Sequence, residues 1–441
     1  MEEIISKGEL NFLQNNQLLQ VIKEIELKKD ELIDLTKQLI SFQTPAPPAR
    51  NTAEAQGWIE QYLVSQAFAT DRWDVYPGDP NIVGVKKGTE RKSFQSLIIN
   101  GHIDVAEVRP EEVWKTDPFT AEVVNDRIIG RGVADMKGGM AAALFVLKLF
   151  HEQGIELPGD LIFQSVIGEE VGEAGTLQCC ERGYQADFAV VVDTSDLQIQ
   201  GQGGVITGWV VIKDPKVYHD AMRRQMIHAG GGLSQGASAI EKMMIIIESL
   251  QKLERHWAVS KSYPGYPPGT NTINPAVIEG GRHAAFIADE CRLWITVHFY
   301  PNESYETVSK EIEEHLLNAA KADSWLKEHP PTFIWGGHSM IEDRGEVFPA
   351  FEVNPEHTGV KTLAASHQHL FSEKAVIGVS ATVTDGGWLA EAGIPTVVYG
   401  PGQLIEAHSV HESIEIQELV NFSKVMAYFI FTWCHTKKQA E

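Results

Sequence analysis

The stretch SLIINGHIDVAEV, residues 96–108, shows a pattern that recurs along the first half of the chain. Its apolar run, LII, is typical of a strand that is buried on both faces. His102 and Asp104 follow at the point where such a strand would leave the sheet. Because alternate side chains of an extended segment share a face, Asp104 could hold the ring of His102 and leave its other nitrogen free for a metal. The plainer alternative is a hydrogen-bonded histidine at a strand end, beside an aspartate that caps a turn.

Short apolar runs and helical segments alternate around this stretch. NIVGV, DLIFQSVIGEE and DFAVVVDTSD predict strands, and MKGGMAAALFVLKLFHEQG predicts a helix. This alternation indicates an α/β fold with a mainly parallel sheet. Strict alternation stops near residue 205 and returns near residue 339, which favours an inserted α+β domain with an antiparallel sheet. We therefore predict a catalytic domain formed by residues 1–204 and 339–441, interrupted by a domain of residues 205–338.

The composition excludes several classes of partner. The chain has 441 residues, of which 43% are hydrophobic, and a net charge of −23, which opposes binding to nucleic acid or to anionic membranes. Its 4 cysteines form no CxxC motif, so they indicate neither a disulfide framework nor a thiolate zinc site. No signal peptide is recognisable, and no apolar run approaches the roughly 20 residues of a membrane helix. We therefore expect a cytoplasmic protein.

Metal-capable side chains follow several of the predicted strands. The carboxyl ends of strands in an open α/β sheet are where sites assemble. Taken singly, each side chain has an ordinary explanation as a helix cap, a turn residue or part of a solvated surface. Two adjacent carboxylates after an apolar run, however, need cations or hydrogen bonds. Besides the first histidine, the series comprises Asp135, Glu169, Glu170, Asp193 and His408.

These side chains suggest hydrolytic chemistry with two metal ions. Imidazole and carboxylate donors without thiolates suit Zn²⁺, with Co²⁺ or Mn²⁺ as possible substitutes. Two cations about 3.5–4 Å apart need a carboxylate that reaches both. One further acid must stay free to take a proton from metal-bound water. The adjacent pair Glu169 and Glu170 offers a base and a ligand side by side.

The motifs GHIDV, GRGVADMKGG, GEE, an acid after VVV, and AHSVHE resemble, in this order, those of metallopeptidase family M20. That family includes acetylornithine deacetylase, succinyl-diaminopimelate desuccinylase, aminoacylase and glutamate carboxypeptidase, and the first of these is the nearest match. The similarity extends from about Asp30 over nearly all of the remaining chain. It implies a zinc-peptidase-like catalytic domain, an inserted lid and dimerisation domain, and a homodimer.

The resemblance also implies a role for each residue of the series. Glu169 would be the general base, Asp104 would orient His102, and Asp196 is the alternative to one ligand, Asp193. The peptide bond after Asp135 matches a position where relatives carry a cis bond. Two zinc ions would be held by His102 and Asp193, by Glu170 and His408, and by Asp135 as the bridging ligand.

The remaining implied residues concern the substrate. His228 would match a lid histidine that, in dimeric relatives, reaches the neighbouring subunit's site and stabilises the oxyanion. Asn274, Gly400 and Gly402 match substrate-side segments. Relatives often carry an arginine for the substrate's α-carboxylate where this chain has His298, and neutral histidine cannot offer the same bidentate fork. An amino-acid substrate with a free α-carboxylate is therefore disfavoured.

We accordingly predict a two-metal amidohydrolase that removes an acyl group from a small N-acylated amine or amino acid. Within the same class, the alternatives are dipeptidase or carboxypeptidase-type cleavage, and deformylation of an N-formyl heterocyclic amine such as a pyrimidine. The deformylase alternative suits the missing arginine. A catalytically silent metal-binding or peptide-binding module is the alternative from another class, and the intact Glu169 and ligand series argue against it.

Overall fold

The computed structural model describes residues 12–223 and 236–438. The chain divides into two compact units, one formed by Met1–Gly201 with Phe351–Glu441 and the other by Gln202–Ala350. The predicted insertion, residues 205–338, lies within the second unit. Its role as a lid and dimerisation domain stays a prediction.

The strands are numbered in chain order. They are β1 (Pro45–Ala46), β2 (Ala69–Tyr76), β3 (Asp79–Lys86), β4 (Leu97–His102), β5 (Val105–Ala106), β6 (Glu122–Val124), β7 (Arg127–Ile129), β8 (Leu161–Val166), β9 (Phe188–Val191), β10 (Ile199–Gln202), β11 (Gly204–Lys213), β12 (Thr272–Gly280), β13 (Glu290–Phe299), β14 (Thr332–Trp335), β15 (Val347–Phe348), β16 (Ile377–Ser380), β17 (Thr396–Val398) and β18 (Ser413–Glu415).

The helices are numbered in the same way. They are α1 (Phe12–Leu27), α2 (Lys29–Ser41), α3 (Ala53–Ser65), α4 (Gly138–Glu152), α5 (Gly175–Glu181), α6 (Ala239–Ser260), α7 (Tyr305–Ala320), α8 (Thr358–Phe371), α9 (Gly386–Glu391) and α10 (Ile416–Cys434). Among the helices of the described ranges, none combines the length and the apolar character that crossing a membrane requires.

The first unit is built on an eight-stranded sheet with the order β16-β10-β17-β9-β4-β8-β3-β2. The α/β class is confirmed, and the parallel strands β17, β9, β4 and β8 lie at the centre of the sheet. Towards the edges, β10 pairs antiparallel with β17, β3 with β8, and β2 with β3. The central strands β4, β8 and β9 are buried along their whole length, which explains their unbroken apolar runs.

Helices cover this sheet because their apolar residues need a partner. The two most apolar helices, α4 and α10, pack against each other and against β4. Helix α2 buries Leu32, Leu35, Leu39 and Ile40, a helical spacing that gives it one apolar face. Helix α2 follows α1 almost directly, and the two helices are separated at Lys28.

The second unit contains an antiparallel sheet with the order β12-β13-β11-β14, in which β15 also pairs with β11. Buried and exposed or partly exposed residues alternate along β13, so this sheet buries one face. Helices α6 and α7 pack on each other and on the sheet. Strand β12 is an outer strand, and most of its residues are exposed. The unit is α+β, as the sequence predicts.

The parallel centre of the first sheet positions the candidate site. Because β4, β8, β9 and β17 run in one direction, their carboxyl ends share one edge. His102 is the last residue of β4. Glu169 begins a one-turn helix shortly after β8, and Asp193 follows β9. Chain topology alone therefore brings three of the predicted segments together.

Candidate active site

The five predicted metal ligands lie together at this edge of the sheet. Asp135 contacts both histidines, since its Oδ1 lies 3.1 Å from Nε2 of His102 and its Oδ2 lies 3.1 Å from Nε2 of His408. Asp193 Oδ2 lies 3.9 Å from His102 Nε2, and Glu170 Oε2 lies 2.9 Å from His408 Nε2. The distances therefore group these side chains into the two sets that the resemblance implies, with Asp135 between them.

The donor atoms are suited to divalent cations. Ligand atoms of His102, Asp135 and Glu170 all lie within 4.8 Å of one another. The second carboxylate oxygen of Glu170, Oε1, is buried and has no hydrogen-bond partner within the described ranges. A buried, unpaired carboxylate oxygen is costly, and a cation is a natural partner for it. The residues present thus fit a metal centre.

The electrostatics of the cluster reflect an excess of carboxylates over imidazoles. Burial and the charge of Asp135 raise the pKa of Asp193 well above its ordinary value. Hydrogen bonds to Asp135 and Glu170 raise the pKa of His408 to about 11. Burial acts to raise the pKa of Asp135, but hydrogen bonds from His102 and His408 outweigh it and lower that pKa. In the protein alone, the imidazoles therefore supply the positive charge that the carboxylates require.

The ring of His102 is oriented by a backbone group. Its Nδ1 lies 3.0 Å from the carbonyl oxygen of Asp104, to which a protonated Nδ1 donates, so that Nε2 faces the cluster and can offer its lone pair to a metal once it has lost its proton. The carboxylate oxygen Oδ1 of Asp104 is 3.7 Å from the same nitrogen. This corrects the expectation that the Asp104 side chain orients the ring, because its carbonyl oxygen does so.

The carboxylate of Asp104 instead holds the turn that carries Glu169. It accepts hydrogen bonds from the backbone N–H groups of Gly168, at 2.9 Å, and Glu170, at 3.0 Å. The turn needs glycine, because Gly168 has φ +82° and a Cβ there would lie 2.4 Å from Cβ of Glu173. Glu169 is thereby placed with Oε2 3.9 Å from His102 Nε2.

Burial raises the pKa of Glu169 well above its ordinary value. The charge of His102 opposes this increase, whereas the neighbouring carboxylates of Asp193, Glu170 and Asp385 add to it. Glu169 therefore lies near His102 in an acidic cluster. The acids in contact with His408 are Asp135 and Glu170.

Two predicted substrate residues have a packing role in the structure. A Cβ on Gly400 would lie 2.2 Å from the carbonyl oxygen of Asp193. Gly402 has φ +93°, and a Cβ there would lie 3.0 Å from Cβ of Ala134. The GPG segment thus packs closely behind two segments that carry ligands, and its contact with substrate stays a prediction.

The other predicted substrate residues belong to the second unit. Asn274 lies on β12 and His298 on β13, and both are exposed. His228 lies outside the described residues. The roles of these three residues stay predictions. Of the two acids considered as the ligand after β9, Asp193 has a carboxylate oxygen 3.9 Å from Nε2 of His102, whereas Asp196 is exposed.

Sequence reasoning missed three charged residues near the cluster, although two of them lie in motifs that the family resemblance already singles out. Arg131 belongs to GRGVADMKGG and Glu412 to AHSVHES, and the two form a buried ion pair of 2.7 Å. Asp385, in TDGG, is buried, and burial raises its pKa to about 7. The sequence signal that could have identified these residues is a charged side chain within a segment that is otherwise mostly apolar or glycine-rich.

Known proteins are similar to this chain over most of its length. A sequence profile of peptidase family M20/M25/M40 matches residues 98–432. An N-formyl-4-amino-5-aminomethyl-2-methylpyrimidine deformylase of Bacillus subtilis (strain 168) is 63% identical over 425 residues, which are 96% of this chain and 100% of that protein. The protein of the same description from Halalkalibacterium halodurans is 61% identical over 419 residues, 95% of this chain and 98% of that one.

A solved structure gives the same result for the fold. The di-peptidase Dug1p of Saccharomyces cerevisiae superimposes with a TM-score of 0.68, covering 95% of this chain and 99% of that one. The two sequences are only 16% identical, so this likeness concerns the fold alone.

Proposed function

The chain belongs to peptidase family M20/M25/M40, and on this premise we propose that it hydrolyses the formamide of N-formyl-4-amino-5-aminomethyl-2-methylpyrimidine. The predicted family is confirmed, and the protein is a hydrolase of C–N amide bonds in small N-acylated amines. The observation that carries the substrate is the similarity, over nearly the whole length of each chain, to two deformylases of this compound. Of the predicted functions, the deformylase alternative is thus favoured over the acetylornithine deacetylase-like one.

The position of His298 supports the same substrate. The formylpyrimidine has no α-carboxylate, so an arginine for that group would have no partner in it. His298 is exposed on β13 at the place where relatives often carry this arginine. Peptidase-type substrates, which present a free carboxylate, are disfavoured for the same reason.

We propose that the cluster holds two Zn²⁺ ions, for which Co²⁺ or Mn²⁺ can substitute. Imidazole and carboxylate donors without thiolates, and the buried unpaired oxygen of Glu170, support this choice. When bound, the ions would polarise the formyl carbonyl and lower the pKa of a water molecule. The proposed ligands are His102 and Asp193, Glu170 and His408, with Asp135 between the two sets.

Glu169 is proposed to move the proton. It takes a proton from the attacking water as the new C–O bond forms, and it delivers that proton to the amine nitrogen as the C–N bond breaks. The products are the free aminomethylpyrimidine and formic acid, which gives up the second proton of the water to solvent and leaves as formate. Asp104 supports this role because its carboxylate holds the backbone on either side of Glu169. A backbone fixed in this way keeps the base at a constant distance from the reacting groups.

The inserted domain is proposed to contribute the oxyanion donor and the dimer contact. The resemblance supports His228 as a donor that acts in the neighbouring subunit. The exposed outer strand β12 and the exposed apolar residues Met244 and Val259 of α6 support a homodimer formed through the second unit. A cytoplasmic location remains part of the proposal.

A substrate panel tests the proposed function. Purified protein loaded with Zn²⁺ or Co²⁺ is incubated with the formylpyrimidine, its N-acetyl analogue, N-acetylornithine and a dipeptide, and free amine and formate are quantified. We expect the highest kcat/KM for the formylpyrimidine, with one formate released per amine. The Glu169→Gln protein, purified in parallel, controls for contaminating hydrolases. Faster turnover of N-acetylornithine or the dipeptide, or no turnover of the formylpyrimidine with either metal, would refute the proposal.

A further inference from the structure

Arg131 and Glu412 form an ion pair that is completely enclosed by the first unit. Their side chains are 1% and 0% exposed, and Arg131 Nη1 lies 2.7 Å from Glu412 Oε2. Two charges taken out of water in this way are tolerated only when further hydrogen bonds satisfy them. The remaining partners of the pair therefore indicate what the pair does.

The partners of Glu412 belong to the segment that carries Asp135. Its second oxygen, Oε1, accepts hydrogen bonds from the backbone N–H groups of Ala134, at 3.0 Å, and Asp135, at 3.2 Å. The Asp135 carboxylate lies between His102 and His408. Glu412 thus holds the backbone of the residue that lies between the two sets of ligands, without contacting its carboxylate.

Besides Glu412, the nearest partners of Arg131 are two carbonyl groups of the segment that carries His408. Longer contacts from Nη2 go to the carbonyl oxygen of Glu107, at 3.5 Å, and to the carboxylate of Glu112, at 3.7 Å. Arg131 Nη2 donates to the carbonyl oxygen of His408 at 3.2 Å, and Nη1 donates to that of Ser409 at 3.4 Å. His408 has φ +59°, a left-handed conformation that residues other than glycine rarely adopt. The planar guanidinium is well suited to hold these carbonyl groups and Glu412 at the same time.

The surrounding strands do not need this pair for their alignment. Strand β18 already pairs with β7 from Ser413↔Ile129 to Glu415↔Arg127, and the N–H of Gly130 donates to the carbonyl of Glu412 at 3.1 Å. The additional bonds of the ion pair go beyond these strands, to Asp135 on one side and to His408 on the other. Their position favours a role in the site over a role in strand pairing.

We propose that Arg131 and Glu412 are positioning residues that fix Asp135 and His408 relative to each other for metal binding. They contact the backbone of the ligands and not their donor atoms, so they would act through ligand geometry. The inference rests on the proposed function only in assuming that the cluster binds divalent cations. Loss of such outer partners typically weakens metal binding about 10–100-fold.

Three variants separate this role from general stabilisation. Arg131→Lys keeps the charge but replaces the planar fork, in which Nη1 and Nη2 reach separate acceptors, with a single ammonium group that lacks this fixed geometry. The paired variant Arg131→Gln with Glu412→Gln removes both charges together, so no unpaired charge stays buried. Arg127→Lys is the matched control, because Arg127 also binds an acid of the His408 loop, Glu406, at 2.8 Å. Arg127 contacts neither ligand backbone in the described ranges and is 29% exposed.

The experiment measures Co²⁺ binding and thermal unfolding of the metal-free proteins, without any substrate. We expect Arg131→Lys and the paired variant to bind one of the two ions about 10–100-fold more weakly, at an unfolding temperature close to that of Arg127→Lys. Saturating Co²⁺ should restore the wild-type visible absorption spectrum. Arg127→Lys should bind both ions as the wild type does.

The proposal is overturned if Arg131→Lys binds both ions with wild-type affinity, or if its affinities match those of Arg127→Lys. It is also overturned if the paired variant does not fold, because the pair would then be required for the fold itself. Should Arg131→Lys alone fail to fold, the paired variant decides by the same criteria. Wild-type protein that binds two ions but does not release formate would refute the proposed substrate and leave this inference standing.

Discussion

The carboxylate of Asp104 accepts a hydrogen bond of 3.0 Å from the backbone N–H of Glu170. Its other oxygen accepts one from Gly168, so both ends of the peptide segment around Glu169 are held by one buried side chain. The carbonyl oxygen of the same residue faces Nδ1 of His102 at 3.0 Å. One residue therefore connects a candidate ligand with the candidate base.

Replacing Asp104 with asparagine should lower turnover more than metal content. The amide has one acceptor oxygen, and its NH₂ group would face one of the two backbone N–H groups, which disturbs the turn. We expect kcat to fall about 10–100-fold, as for other outer partners of a site, with both metals still bound. The matched control is Asp74→Asn, because Asp74 caps the N–H of Gly78 in an exposed turn. Equal kinetics of the two variants would contradict the role assigned to Asp104.

Glu169→Gln should separate catalysis from metal binding. The amide cannot accept the proton of the attacking water, so kcat should fall at least about 10²–10⁴-fold. Metal analysis of the same sample should still give two ions per chain, because Glu169 is not among the proposed ligands. A variant that loses an ion would identify Glu169 as a ligand and would require a different base.

His298→Arg should shift specificity towards substrates with a carboxylate. The guanidinium would supply the bidentate partner that histidine lacks, and a hydrogen bond to a charged group contributes about 1.5–3 kcal/mol. We expect kcat/KM for N-formylmethionine, relative to the formylpyrimidine, to rise about 10–100-fold. His283→Arg, which adds the same charge at another exposed position of the second unit, should leave that ratio unchanged. A similar rise in both variants would point to general charge attraction.

Two inactive variants should complement each other in a mixed dimer. His228→Ala should lower turnover roughly 10²–10³-fold through loss of an oxyanion donor. If His228 acts in the neighbouring subunit, mixing His228→Ala chains with Glu169→Ala chains creates one site that has both residues. We expect activity to reappear once subunit exchange has been shown with differently tagged chains. A mixture that stays inactive, or a fully active monomer, would contradict this arrangement.

Sequence reasoning succeeded where chain topology determines proximity. His102, Glu170 and Asp193 follow neighbouring parallel strands, so their side chains had to reach the same edge of the sheet. This conclusion needs only the strand pattern and the direction of the strands. Asp135 and His408 belong to the same predicted series, but no strand pattern predicts the distance between them, and only the family resemblance implied that Asp135 lies between the two sets of ligands.

Sequence reasoning failed where the decisive partner is a backbone atom. The orientation of His102 by a carbonyl oxygen of Asp104 depends on backbone angles just beyond β4, which the residue types do not determine. Arg131 and Glu412 escaped notice because, apart from each other, they bind mainly peptide N–H and C=O groups, which every residue carries. The antiparallel strands at the edges of the central sheet were not predicted either, because backbone pairing between distant segments determines their direction.

We propose a centre of two metal ions at the edge of the first sheet. Anomalous diffraction from crystals grown with Zn²⁺, recorded at the zinc edge, locates such ions directly. We expect two peaks per chain, one contacting His102 and Asp193 and the other contacting Glu170 and His408, with Asp135 contacting both. A single peak at full occupancy, or two peaks that do not share Asp135, would contradict this proposal.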